Sequence, residues 1–340
     1  MRWFIAATLL FVMALLSTTC STSHPRRKPS EVKITVEIDQ LAQAMAGYKQ
    51  SRIQYPPCMA EEDAETRKKR FLRHVSLGFT NASYGSTTAH FDALNRKLEA
   101  EWSYNFRGRD GKRHPLDLER LDAAETLVFW LGGFPMPLDG KTQQPIANRK
   151  LFGFHRDEDD PFKRDFRFET PTPLQFRTDP MFNFMEERLT DSDDDGWLEY
   201  VPYLVHAGAP PPPYAYFDYD AYAPSKTNPA LLGSCFYPRD NELAGRWGIA
   251  VPIAEYFSPP QKQIIWNNAS SIQIVAAGLD GRFGPPGKNG VMPPREIMTW
   301  PLVRKIYLAT EDFQRARELD ESQLDNLTNL SSKPLGTKTP

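Results

Sequence analysis

Residues 31–49 read EVKITVEIDQLAQAMAGYK, and a Tyr55-Pro56-Pro57 triplet follows shortly after. Ile34, Ile38, Leu41, Met45 and Tyr48 recur at intervals of four and three, which places them on one stripe of an α-helix. Glu31, Lys33, Glu37, Asp39, Gln43 and Lys49 fill the other faces, so the helix has a side to bury and a side to wet. Ser30 is suited to cap its start, Gly47 weakens its last turn, and the Tyr-Pro-Pro turn ends it. A single apolar stripe of this length needs a partner surface, and the rest of the chain must supply one.

Upstream, Trp3 to Leu16 is apolar except for Thr8, with Arg2 before it and Ser17-Thr18-Thr19-Cys20 after it. A spanning helix needs roughly 20 apolar residues, so residues 1–19 read as a signal peptide or a membrane anchor. Export follows, to the cell surface or medium, or to an inner-membrane anchor facing the periplasm. Arg26, Arg27 and Lys28 lie after the apolar run, against the usual charge bias of a segment whose tail crosses outward. Cys20 invites lipidation, although Ser17 and Thr19 depart from the usual pattern before a lipidated cysteine. Residues 20–30 form a polar linker interrupted by Pro25 and Pro29, residues 31–331 a head domain, and 332–340 a disordered tail.

The bulk composition is that of a chain able to bury a large core: 340 residues, 40% apolar and 25% charged. A net charge of −2 gives nucleic acid no bulk electrostatic attraction. Residues 61–75 predict a second helix whose Arg67, Lys68, Lys69, Arg70 and Arg73 form a solvated basic face. Further helices are expected from Phe91 to Trp102 and from Leu118 to Leu131, the latter capped by Asp117 or Asp122 and ended by Gly132-Gly133. Residues 134–213 are rich in loop formers. Strands are expected at Tyr214–Tyr219 and Ser271–Ala276. Helices before strands imply an α+β fold with an antiparallel sheet.

The strongest chemical signal is Asp191-Ser192-Asp193-Asp194-Asp195-Gly196-Trp197-Leu198-Glu199. Asp191, Asp193 and Asp195 before Gly196 match the first half of a calcium loop, in which alternate side chains turn inward and glycine allows the bend. The Trp197 carbonyl and Glu199 would follow as ligands, but the twelfth position is Pro202, so a remote carboxylate must close the shell. The competing reading is a solvated acidic turn. Cys58 and Cys235 are a candidate disulfide pair in an oxidising compartment, with two buried thiols as the alternative. The six histidines are scattered without metal-ligand spacing, and no nucleophile elbow or phosphate loop occurs. No pair of carboxylates stands out as glycosidase-like, and Trp130, Trp197, Trp247 and Trp266 read as core.

Taken in order, several segments resemble one family. Ile38 to Lys49 with Tyr55-Pro56-Pro57 resembles the second half of the long N-terminal helix of type IV pilins and type II secretion pseudopilins. Glu125 to Gly133, Asp193 to Tyr200, Ile272 to Gly281 and Asp325 to Leu330 look like a large-headed bacterial branch of these prepilin-type proteins. The resemblance implies a non-enzymatic exported protein with an N-terminal helix packed on an antiparallel sheet. It also implies partners among pilin-like or secretion-apparatus subunits, and calcium pinning a C-terminal loop near a G-x-D-G turn. Carried onto this chain, that calcium falls on Asp280 and Asp325. The departure is at the start: the Gly-Phe-Thr-Leu-x-Glu peptidase site is missing, and Pro25 and Pro29 break the assembly helix. The alternative functions are a secreted calcium-binding hydrolase acting on carbohydrate and a lipid-anchored surface binding protein.

Overall fold

The computed structural model of the chain describes residues 29–61, 63–79, 84–85, 87–102, 116–135, 151–164, 176–203, 211–222, 235–252, 254–258, 263–266, 270–277, 281–283 and 327–328. The N-terminal apolar segment, Asp280 and Asp325 lie outside them. Among the described residues no helix is long and apolar enough to cross a membrane.

Helix α1 (Pro29–Arg52) buries Ile34, Ile38, Leu41, Met45 and Tyr48, the five stripe residues, at 0–1% exposure. Ser30 lies within the helix and not at its cap. Glycine at 47 does not end it, and Ile53, at φ 72°, turns the chain into the Tyr55-Pro56-Pro57 segment. Helix α2 (Ala64–Gly78) is capped by Asp63, whose carboxylate accepts the Thr66 N–H at 2.8 Å. Helix α3 (Thr88–Trp102) packs beside it through Phe91 against Phe71, with ring centroids 5.6 Å apart.

The basic face of α2 is not simply a wetted surface. Arg67 is buried and donates to the Glu61 carbonyl, and Lys68 reaches both Asp92 (2.9 Å) and Glu119 (2.8 Å). Arg70 pairs with Glu61 and Asp218. Lys69 and Arg73 are the exposed members of the face.

Helix α4 (Glu125–Gly132) is the hub: all eight of its residues are buried. It is shorter than the 118–131 reading because Asp122 receives the N–H groups of Ala124 (2.9 Å) and Glu125 (3.3 Å), fixing the first turn there. Of the two candidate caps, Asp122 therefore does the capping, while Asp117 accepts from the Glu119 N–H outside the helix. Leu118 and Leu121, in the non-helical approach, are still fully buried. Phe129 and Trp130 pack with Phe71, Phe154 and Phe162 into an aromatic core. Gly133 follows at φ 79°, against Gly153, where a Cβ would sit 2.3 Å from backbone.

The strands are short and antiparallel. β1 (Phe134–Pro135) pairs with β2 (Leu151–Phe152), and β3 (Leu189–Thr190) with β4 (Glu199–Tyr200). β5 (Ala215–Asp218) and β8 (Ile272–Ala276) fulfil the two strand expectations and pair directly, Ala215 opposite Val275. β9 (Leu327–Thr328) adds to the far edge of β8, giving the order β5-β8-β9. β6 (Ala254–Ser258) and β7 (Gln263–Trp266) form a separate hairpin, preceded by the seven-residue α6 (Asn241–Trp247); a single helical turn, α5 (Tyr219–Tyr222), follows β5. Every residue of β5 and β8 is buried, so this sheet is covered on both faces. α1 contacts β8 and β9, and α4 contacts β5. The fold is α+β.

One polar cluster locks α1 to the head. Glu37 pairs with Arg188 through both carboxylate oxygens and accepts the hydroxyls of Tyr200 (2.9 Å) and Tyr214. Arg188 also donates from Nε to the Val201 carbonyl (2.9 Å) and lies 4.3 Å from the Tyr200 ring centroid.

Candidate metal centre

The acidic loop between β3 and β4 folds around its own backbone. Asp191 accepts the Asp195 N–H at 3.0 Å and the Gly196 N–H at 3.2 Å, one with each carboxylate oxygen. Asp195 Oδ1 accepts the Trp197 N–H at 2.9 Å. Asp194 at φ 59° and Gly196 at φ 97° make the left-handed bend that this winding requires, and the glycine pattern in the sequence predicts its second half. The β3–β4 pair closes the neck of the loop, with Thr190 opposite Glu199.

Glu125 comes to the loop from the first turn of α4. Its Oε2 accepts the Asp122 N–H at 2.8 Å while Asp122 receives the N–H groups above, a reciprocal capping box. That bond fixes the direction of the carboxyl and leaves Oε1 turned toward the loop. Oxygens of Glu125, Asp193 and Asp195 lie within 4.8 Å of one another. Glu125 and Asp195 are each 1% exposed, whereas Asp193 faces solvent. Glu125 Oε1 and Asp195 Oδ2 have no hydrogen-bond donor among the described residues.

The electrostatics follow from this crowding. Burial raises the Glu125 carboxyl well above the ordinary range, and the charges of Asp195 and Asp122 add to it. Burial and Asp193 do the same for Asp195. Asp122 is pushed up to about 7 by burial, with Arg239 pulling the other way, and Asp191 to about 6 by burial and the neighbouring aspartates. A cluster that disfavours its own ionised form this strongly is one that a cation would relieve.

The residues singled out in the sequence divide. Asp193 and Asp195 meet at the cluster. Asp191 organises the loop through backbone bonds, and Glu199 is occupied by the hydroxyls of Thr190 (3.2 Å) and Tyr237 (2.8 Å). The Trp197 indole is buried and donates to the Asp117 carbonyl at 2.8 Å. Asp280 and Asp325 lie outside the described residues, although Ala276 of β8 pairs with Leu327 of β9. Glu125 was not singled out, because its partners are about 70 residues away in sequence. The one local signal was the Asp122-x-x-Glu125 spacing of a capping box.

Cys58 and Cys235 are both buried as free thiols. They come together across the bridge between Glu61 and Cys235, which the bond from the Phe236 N–H to the Ala60 carbonyl (3.2 Å) extends. Cys58 is raised by burial and then by its contact with the Cys235 thiol. A separate cleft of about 520 Å³ opens beside Tyr55, Arg73 and His74, and Asp220 is the one carboxylate among its described lining residues. Trp130, Trp197 and Trp247 are core residues, as the sequence suggested.

Comparison with family models, curated proteins and solved structures found no match to the chain.

Proposed function

We propose that the chain is a non-enzymatic, exported, pilin-like protein: a calcium-stabilised head carried by an N-terminal amphipathic helix, serving as an accessory of a type II secretion or pilus-like apparatus. The observation that supports this reading is the contact of α1, whose apolar stripe is buried, with β8 and β9 of an antiparallel sheet. The Glu37 cluster adds a second support, since it fixes the rotation and height of α1 on the head. A helix held this firmly acts as a stalk, transmitting the orientation of whatever precedes it to the domain behind.

The reading separates carriage from polymerisation. Pro25 and Pro29 lie between the apolar segment and the amphipathic stripe, and proline disfavours the unbroken helix that filament assembly uses. A tethered head that docks other subunits needs no unbroken helix. Among the described residues lining the cleft Asp220 is the one carboxylate, so they offer the hydrolase alternative no acid–base pair there.

Fractionation of the native cells is the test. The head is expected outside the cytoplasm, accessible to protease once the outer barrier is opened, and co-purifying with pilin-like subunits after crosslinking. Recovery wholly in the cytosolic fraction would overturn the reading.

A further inference from the structure

We propose that Glu125, Asp193 and Asp195 bind a divalent cation, calcium, that joins the capping turn of α4 to the β3–β4 loop. Carboxylate crowding alone is common and proves nothing. Here two of the three groups are buried to 1% exposure, and each aims an oxygen without a donor at the other carboxylates. An unpaired buried charge is costly, so the two groups must either hold a proton between them or take a cation, and in their ionised form only a cation relieves them.

The donors are all carboxylate oxygens, which select a hard cation over zinc or copper. Their 4.8 Å span is about twice a calcium–oxygen distance of roughly 2.4 Å, so one ion can touch all three groups. Asp193 faces solvent and supplies a way in. Glu125 is the remote carboxylate that the truncated loop pattern lacks, and the capping box is what holds it in place. Asp191 and Glu199 act behind the ligands: the first winds the loop, and the second is held by Thr190 and Tyr237. The choice of calcium over magnesium rests on the exported reading and on the irregular loop; the site itself rests on the geometry.

Such a cation would tie together two segments about 70 residues apart, one of them the hub helix of the core. The consequence is a head whose stability responds to calcium.

The test is a calorimetric titration of the full chain, stripped with chelator, with calcium and separately with magnesium, alongside thermal melts. Calcium is expected to bind one to one with a dissociation constant of about 10⁻⁵ to 10⁻³ M and to raise the melting temperature by about 3 °C or more. Asp193→Asn, on the solvent side, is expected to weaken binding at least about tenfold without disturbing the core. Glu125→Gln keeps an acceptor for the Asp122 N–H and supplies a donor toward Asp195. It is therefore expected to melt higher than the unsubstituted chain in chelator and to lose the calcium response. No heat and no melting shift with either ion, or unchanged binding in both variants, would overturn the proposal. Cytosolic fractionation would remove the exported reading without altering the titration, so the two fail independently.

Discussion

Replacing Glu37 by alanine removes a carboxylate that serves three donors at once: the Arg188 guanidinium and the Tyr200 and Tyr214 hydroxyls. The side chains of Glu37 and Arg188 are only 14% and 10% exposed, so solvent compensates little for the loss. Arg188 keeps the Val201 carbonyl and the Tyr200 ring, which limits the damage on that side. Breaking a buried pair from one side costs about 3–5 kcal/mol, and the retained contacts place this case near the lower end, about 3 kcal/mol. Glu37→Gln retains one acceptor and should cost about 1–2 kcal/mol. The assay is urea unfolding followed by tryptophan fluorescence. With a slope of about 3 kcal/mol/M, alanine lowers the midpoint by about 1 M. A double-mutant cycle with Tyr214→Phe should show a coupling of about 0.5–3 kcal/mol. A loss below about 1 kcal/mol for alanine, or zero coupling, would refute the claim that this cluster locks α1 to the head.

His74 is held neutral by burial, its pKa pushed down to about 3, with Arg52 and Arg70 adding to the effect. Gln54 donates to Nδ1 (3.0 Å), so Nε2 carries the proton and donates to the Tyr48 hydroxyl at 2.8 Å. The unfolded chain takes up a proton near the ordinary histidine value while the fold refuses it. This contribution is therefore full above that value and is lost as pH falls toward 3, by about 1.4 kcal/mol per pH unit. Measured against His74→Gln, so that other titrating groups cancel, the difference in stability should narrow in the same window; a constant difference would contradict it. If the protein matures in an oxidising compartment, Cys58 and Cys235 should be recovered as a disulfide. Intact mass would then be about 2 Da low, and reduction would cost about 5 kcal/mol or less for a loop of roughly 180 residues. Two alkylatable thiols in denatured native material would count against it. Gly133→Ala places a Cβ 2.3 Å from the Gly153 backbone at a φ of 79°, and should destabilise by about 3 kcal/mol or more in the same urea assay; a near-neutral result would show that β1 and β2 can part.

Local patterns carried the sequence reading where one element suffices. The α1 stripe, the β5 and β8 segments and the burial of Leu127 to Leu131 were all legible, because each depends on periodicity or a continuous apolar run within a few turns. The start of α4 was legible only as a choice between Asp117 and Asp122, because Leu118 and Leu121 continue the apolar pattern between them and only the backbone bonds decide for Asp122. The basic face of α2 misled for another reason: Arg70 finds Asp218 some 148 residues away, and nothing near either residue announces the pair. The acidic cluster was half legible. The Asp-Gly loop is a local device and reads as one, whereas Glu125 enters through tertiary packing and looks in sequence like an ordinary first-turn acid.

The most direct measurement is anomalous diffraction from crystals of the protein grown in calcium. The account predicts a single peak bounded by Glu125 Oε1, Asp193 and Asp195 Oδ2, with α1 lying across β8 and β9. Carboxylates joined directly with no peak between them, or a loop turned away from α4, would contradict it.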